Sequence, residues 1–342
     1  MKNKGFTLVE LLAVIVILAV ISLIATPMIL GVIETAKKGA AESSALGYID
    51  AVEKQIMMNQ LDSTKTNIVD RTYSVEELTE LGVTIKGTVP TGNVTIENSQ
   101  VSNYILGVNG YVVENGTTTK VNNTQKYNNG YVVYYNPVAG TSCLASEAVS
   151  TTETKEECMK WYIYNDSEGA STVNMILDHN TTARVAWNIE GEHGTNVAYE
   201  DSNLKPLVDA LVTESNWKSN PRLITAYEVN QITGKTGWTN TSSWYCLEST
   251  VQDSTSSPWC NNTGAIGWLY DHTYCVEGSN DWKCSNNDIA TYGYWTSTTY
   301  GNAGSGSYVW NVYRRGYLYS NYANSTFHGV RPVITISKSI VS

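Results

Sequence analysis

The sequence predicts an α+β protein: a long amino-terminal α-helix packed on a small antiparallel sheet, then a larger α+β domain with disulfides. Three observations predict it. Residues 11–33 are 23 consecutive uncharged residues, and helical periodicity continues beyond them. Five short apolar runs separated by Gly and Asn turn residues follow. All six cysteines and all ten tryptophans lie after residue 137. With 342 residues, more than one domain is expected.

The first element opens with a short basic leader, Met1-Lys2-Asn3-Lys4-Gly5, then Phe6-Thr7-Leu8-Val9-Glu10. As a helix the uncharged run spans roughly 34 Å, enough to cross a bilayer. Glu10 interrupts its start, and a carboxylate entering a bilayer needs a partner. An ordinary secretory signal places its cleavage site after the apolar region; here a glycine precedes it. Beyond Pro27, Ala45, Ile49, Val52 and Ile56 repeat at helical spacing, so one helix is expected over 6–58 with that face on a globular head.

The second element is the small sheet. Ser74 with Glu77 three residues on forms a capping box for a short helix. Strands are expected at Val83-Thr84-Ile85, Val94-Thr95-Ile96, Tyr104-Ile105-Leu106, Tyr111-Val112-Val113 and Tyr131-Val132-Val133-Tyr134. Asn109-Gly110, Asn115-Gly116 and Asn129-Gly130 supply the turns. This head covers 59–137 and carries no recognisable chemistry.

The third element, 138–342, contains Cys143, Cys158, Cys246, Cys260, Cys275 and Cys284. An even count confined to one region of an exported chain reads as three disulfides, and no C-x-x-C spacing favours zinc. Pairing of sequence neighbours is expected, because short loops close most easily. Strands are expected at Trp161-Tyr162-Ile163-Tyr164, Val173-Asn174-Met175-Ile176-Leu177, Tyr294-Trp295-Thr296-Ser297 and Val309-Trp310-Asn311-Val312. A helix capped by Thr225 and Glu228 lies between the two pairs.

The amino terminus resembles the type IV prepilin signature. That resemblance implies cleavage by prepilin peptidase after Gly5 in a leader of 1–5, and methylation of the new terminus at Phe6. It also implies a pairing of Glu10 with the amine of a neighbouring subunit's Phe6, with Pro27 as the helix-bending proline. The implied partners are other pilin subunits and the cell membrane. The implied location is a membrane precursor, then an extracellular filament or cell surface.

From Arg222 onward, Arg222-Leu223-Ile224-Thr225-Ala226-Tyr227-Glu228, Tyr294-Trp295-Thr296-Ser297 and Gly329-Val330-Arg331-Pro332-Val333-Ile334 resemble the C-type-lectin-like fold shared with formylglycine-generating enzymes. Neither the lectin calcium triplets nor the oxidase active-site pattern occurs, and Gly234-Lys235-Thr236 lacks the glycine that begins a phosphate loop. His179, His193, His272 and His328 match no metal spacing. No catalytic residue, metal or cofactor is expected. With a net charge of −10 and basic residues only in short clusters, a nucleic-acid partner is not expected either.

Eight tyrosines fall between Tyr292 and Tyr322, interleaved with Ser, Asn, Gly and Arg. This is the palette of antibody contact loops, in which Tyr gives large rigid contact area at low entropic cost. Tyr308, Tyr313, Arg314, Arg315, Tyr317, Tyr319, Asn321, Tyr322, Asn324, Phe327 and His328 are the candidate contacts for a protein or glycan ligand. The plainer alternative is that these tyrosines only cover sheet and loop. Similar domains diversified by retroelements vary at such positions before a fixed VRPV-like strand, which implies hypervariability here. The reading is a minor or tip pilin-like subunit with an adhesive domain. Alternatives are a pseudopilin of a type II secretion or competence machine, or an oxidase of the formylglycine-generating class.

Overall fold

The computed structural model describes residues 8–341 except 63, 122–124, 149–156, 182–183, 243, 249–250, 253–258, 261, 271–292 and 305. Helix α1 (Leu8–Leu61) is continuous through Pro27 and ends three residues beyond the expected Met58. Its first half presents apolar side chains to the outside: Leu11 is 59% exposed, Ile17 58% and Leu30 59%. Its second half buries Ala41, Ala45, Tyr48, Ile49, Val52 and Ile56, the anticipated face with two more members. Against it pack Val75 and Leu78 of α2 (Val75–Glu80), and Val94, Ile96, Leu106, Val108, Tyr111 and Val113 of the first sheet.

That sheet is antiparallel in sequence order: β1 (Thr72–Ser74), β2 (Thr91–Glu97), β3 (Gln100–Val108), β4 (Tyr111–Glu114), β5 (Thr117–Lys120). Asn109-Gly110 and Asn115-Gly116 both take positive φ, the left-handed turn that matches strand twist. Ser74 caps α2 by accepting from the Glu77 amide at 3.2 Å. Val83-Thr84-Ile85, expected as a strand, is not one. The helix ends on Gly82 at φ 101°, with the Val83 amide bonded to the Leu78 carbonyl and Gly82 to Thr79. This closure uses the donor a ladder would have needed. The strands at Thr72–Ser74 and Thr117–Lys120 were not anticipated.

The remainder runs β6 (Tyr131–Asn136), β7 (Thr141–Ser142), β8 (Met159–Tyr164), β9 (Thr172–Leu177), α3 (Lys205–Thr213), β10 (Arg222–Leu223), α4 (Ala226–Thr233), β11 (Tyr245–Cys246), β12 (Val251–Gln252), β13 (Trp259–Cys260), α5 (Gly267–Tyr270), β14 (Gly293–Thr299), β15 (Tyr308–Tyr313), β16 (Tyr317–Tyr322), β17 (His328–Gly329) and β18 (Pro332–Ser337). The second sheet has the order β10-β18-β9-β8-β6-β7, and the third β11-β16-β15-β14-β17. The sequence reading placed Tyr131–Tyr134 with the first sheet; it pairs instead with β8 in the second. There Val133 and Tyr135 complete a cluster with Trp161, Met175, Leu177 and Trp217, burial that the first sheet does not offer.

Disulfides Cys143–Cys158 and Cys246–Cys260 form as expected, each closing a short loop that contributes roughly 3 kcal/mol in the chain-entropy account. Cys275 and Cys284 lie outside the described residues. Gly234 is the left-handed C-cap of α4, and Lys235 Nζ donates to the Cys246 carbonyl at 2.8 Å. The glycine and lysine of the phosphate-loop echo thus have other work.

The first sheet and the second part are tied by polar contacts. Arg71 pairs with Glu77 in its own unit and at 2.8 Å with Glu200 across the junction, its guanidinium 3.7 Å from the Tyr73 ring centroid. Thr91 and Thr172 share a 2.8 Å hydroxyl contact, and Asn220 Nδ2 donates to Thr95 at 2.8 Å.

Candidate functional site

The tyrosine-rich stretch folds into the hairpin β15–β16, with Arg314 and Arg315 at its turn. Its register is Tyr308↔Tyr322, Val309↔Asn321, Trp310↔Ser320, Asn311↔Tyr319, Val312↔Leu318 and Tyr313↔Tyr317. Because side chains alternate along a strand, the candidates divide between two faces. Tyr308 and Tyr322 share a face with Trp310, Val312 and Leu318, the latter three buried. Tyr313, Tyr317, Tyr319 and Asn321 take the other.

On the first face Tyr308 (38% exposed) and Tyr322 (36%) stack with centroids 4.7 Å apart. The neighbouring Tyr322 hydroxyl holds the Tyr308 phenol above its usual range. His193 stacks on the outer side of Tyr322 at 4.2 Å, and Tyr300 meets Tyr308 edge-on at 6.1 Å. The result is a four-ring ladder at one end of the third sheet. Asn324 fixes the His193 loop: its amide donates to the His193 carbonyl at 3.2 Å and its side chain to Glu192 at 3.0 Å. Gly194 (φ 76°) lies so close that a Cβ there would meet the Asn188 carbonyl at 2.4 Å and the Asn324 amide at 2.5 Å. Only glycine lets the loop approach.

On the second face Tyr313 and Tyr317 stack at 4.6 Å, with Tyr319 edge-on to Tyr317 at 5.9 Å. Tyr317 is 5% exposed, and burial pushes its phenol far up. Phe327 is 43% exposed, whereas His328 beside it is fully buried against Trp295 and Tyr313. Tyr317 and His328 therefore belong to the framework beneath the surface. His193, considered from the sequence only as a metal ligand, is not among the candidate contacts; it lies 129 positions before Tyr322 and carries no local signal of that role.

The amino-terminal region is the second site. Gly5 and Phe6 lie outside the described residues. Glu10 occupies the first turn of α1, where the helix dipole favours a negative charge. From Leu11 to Ile33 the helix carries no charge and its large apolar side chains face solvent in the single chain. Fully burying one such side chain gains about 1.5–3 kcal/mol, so this stretch needs an apolar environment from outside the chain. It is the one described helix long and apolar enough to cross a membrane.

Comparison with protein families matches residues 1–26 to the prokaryotic N-terminal methylation motif. The chain carries a prepilin-type methylation motif. Comparisons with curated proteins and with solved structures return no match. With its long helix, the prepilin-type motif makes this chain type IV pilin- or pseudopilin-like. It implies processing by prepilin peptidase, a membrane precursor and assembly with other pilins.

Among the described residues of this prepilin-type chain, no group of three or more His, Cys, Asp or Glu could hold a metal. His179 is buried beside Asp178, and His272 lies outside the described residues. His328 has neither ring nitrogen hydrogen-bonded, and burial pushes its pKa down to about 3. The unfolded chain takes up a proton near the ordinary 6.5 that the folded chain refuses until about 3, so stability is lost as pH falls through that window. The expected loss is about 1.4 kcal/mol per pH unit below about 6. Urea unfolding at stepped pH should show this slope in the wild type and a shallower one in His328→Phe. Equal slopes would remove His328 as the cause.

Proposed function

We propose that this chain is a minor or tip subunit of a type IV pilus-like filament, and that residues 138–342 form a lectin-like domain displaying an adhesive surface. The observation that carries the reading is the exposed ladder of His193, Tyr322 and Tyr308. A single solvent-facing aromatic is ordinary, but rings ordered by stacking offer a ligand large contact area with their entropy already lost. Phe6 through residue 33 enters the filament core in this reading, where Glu10 pairs with the methylated amine of a neighbouring Phe6. A bulky outer domain on every subunit would crowd a helical filament, which favours a minor or tip position. The pseudopilin reading shares the amino-terminal features and differs in predicting a secretion defect on gene deletion. Hypervariability at the candidate contacts accompanies the proposal; a near-copy of their coding segment, differing at adenines, would support it.

Adhesion tests the proposal directly. A Tyr308→Ala/Tyr322→Ala double variant should assemble normally yet bind immobilised glycans or matrix proteins at least tenfold more weakly, as aromatic hot spots do. Wild-type binding by that variant, across every surface the wild type recognises, would sink the assignment of the ladder.

A further inference from the structure

The side chains of Lys338 and Asp166 meet with no solvent contact: Nζ lies 2.8 Å from Asp166 Oδ1, and both are 0% exposed. Lys338 begins the 3-10 turn after β18, and Asp166 lies in the loop between β8 and β9, 172 positions earlier. The approach is close but lies outside hydrogen-bond geometry, since Oδ1 accepts no hydrogen bond. Nζ is steered instead by the Gln125 carbonyl at 3.0 Å and the Ser167 carbonyl at 3.5 Å, with the Tyr127 ring centroid 5.9 Å away. The other carboxylate oxygen, Oδ2, accepts from the Tyr127 amide at 2.8 Å.

We propose that Lys338 and Asp166 condense into an intramolecular isopeptide bond. Two sealed charges forfeit hydration that their attraction only partly returns, whereas an amide in the same place carries no charge. The fold supplies the high effective concentration that a bimolecular amide synthesis lacks. The ammonium gives up one proton, and the nitrogen lone pair forms the Nζ–Cγ bond. A second proton leaves nitrogen as the Cγ–Oδ1 bond breaks, and the oxygen departs with both protons as water. Charge and oxidation state balance without any co-reactant. As the tetrahedral adduct forms, the Tyr127 amide stabilises the negative charge on Oδ2.

The surroundings also supply a proton carrier and an exit. Glu76, from α2 of the first unit, lines the same crevice as Asp166 and Ser167. A carboxyl group lining that crevice is placed to carry a proton between nitrogen and the leaving oxygen. The crevice includes a cavity of about 10 Å³, close to the volume one water requires, and a neighbouring one of about 320 Å³ shares these three residues. The product would clamp the last strand of the second sheet to the loop between β8 and β9. It bears on neither the filament nor the adhesion reading, so its test stands apart from theirs.

Tryptic mapping of the folded full-length protein decides the matter. Expected is a branched peptide joining residues 161–184 to residues 316–342, lighter than their sum by one water, with the chain uncut after Lys338. Lys338→Arg should abolish the branch. Separate peptides with normal cleavage after Lys338 in the wild type would overturn the proposal, whether or not the variant folds.

Discussion

Arg331→Met is expected to destabilise the protein by at least about 2 kcal/mol. The Arg331 guanidinium is fully buried and donates to three carbonyls: Leu177 at 2.5 Å, Leu269 at 2.7 Å and Trp268 at 2.8 Å. It also faces the Tyr294 ring at 5.1 Å. Those partners belong to β9 of the second sheet, to α5 and to β14 of the third, so one side chain joins three parts of the outer domain. Methionine restores much of the volume but takes a donor from the Leu177 and Trp268 carbonyls, each costing about 1–3 kcal/mol, while the Leu269 carbonyl keeps the Tyr294 hydroxyl at 2.8 Å. Lysine should rescue little, because a single ammonium does not reproduce a planar fork directed at three acceptors. Denaturant midpoints of the detergent-solubilised protein measure this. A loss below about 1 kcal/mol for Arg331→Met would show that the carbonyls find other partners.

Glu228→Ala should cost about 3–5 kcal/mol, for a different reason. Glu228 accepts from Arg222 at 2.8 and 2.5 Å, from the Thr225 amide at 2.9 Å and hydroxyl at 3.1 Å, and from the Tyr164 hydroxyl at 3.1 Å. Burial by itself would raise its carboxyl pKa, but Arg222 and Thr225 outweigh that and hold it below the ordinary 4.5. Its contribution is therefore present above about 4.5 and lost as pH falls below that value. Removing the carboxylate leaves Arg222, 2% exposed, as an uncompensated buried charge. The double variant Arg222→Met/Glu228→Leu should recover most of the loss. If instead the double variant adds the two single losses, the pair's coupling is not the source of the cost.

Local features were legible from the residues alone. The uncharged run fixed α1, and its helical spacing identified the buried face from Ala45 to Ile56. The Ser74 and Thr225 caps, the Asn-Gly hairpins and two short disulfides followed from chemistry confined to a few neighbouring positions. Arg222 and Glu228 stood in view as parts of a helix start, yet their pairing with Tyr164 did not. Val83-Thr84-Ile85 had the composition of a strand, but a helix closure three residues upstream had already claimed its first amide.

The candidate contact surface divides in the same way. Its composition was readable, and so was the hairpin's place before the Gly329-Val330-Arg331-Pro332 segment. Which tyrosines face outward was not, because a one-residue change in register exchanges the two faces of a strand. The sequence by itself determined the membrane-length helix, the prepilin-type terminus and the local turns, since each depends on interactions within a few residues. Tertiary structure alone decided that β6 joins the second sheet, that His193 extends the tyrosine ladder and that Lys338 meets Asp166. Those outcomes depend on which distant surfaces can bury each other, and no local pattern encodes that choice.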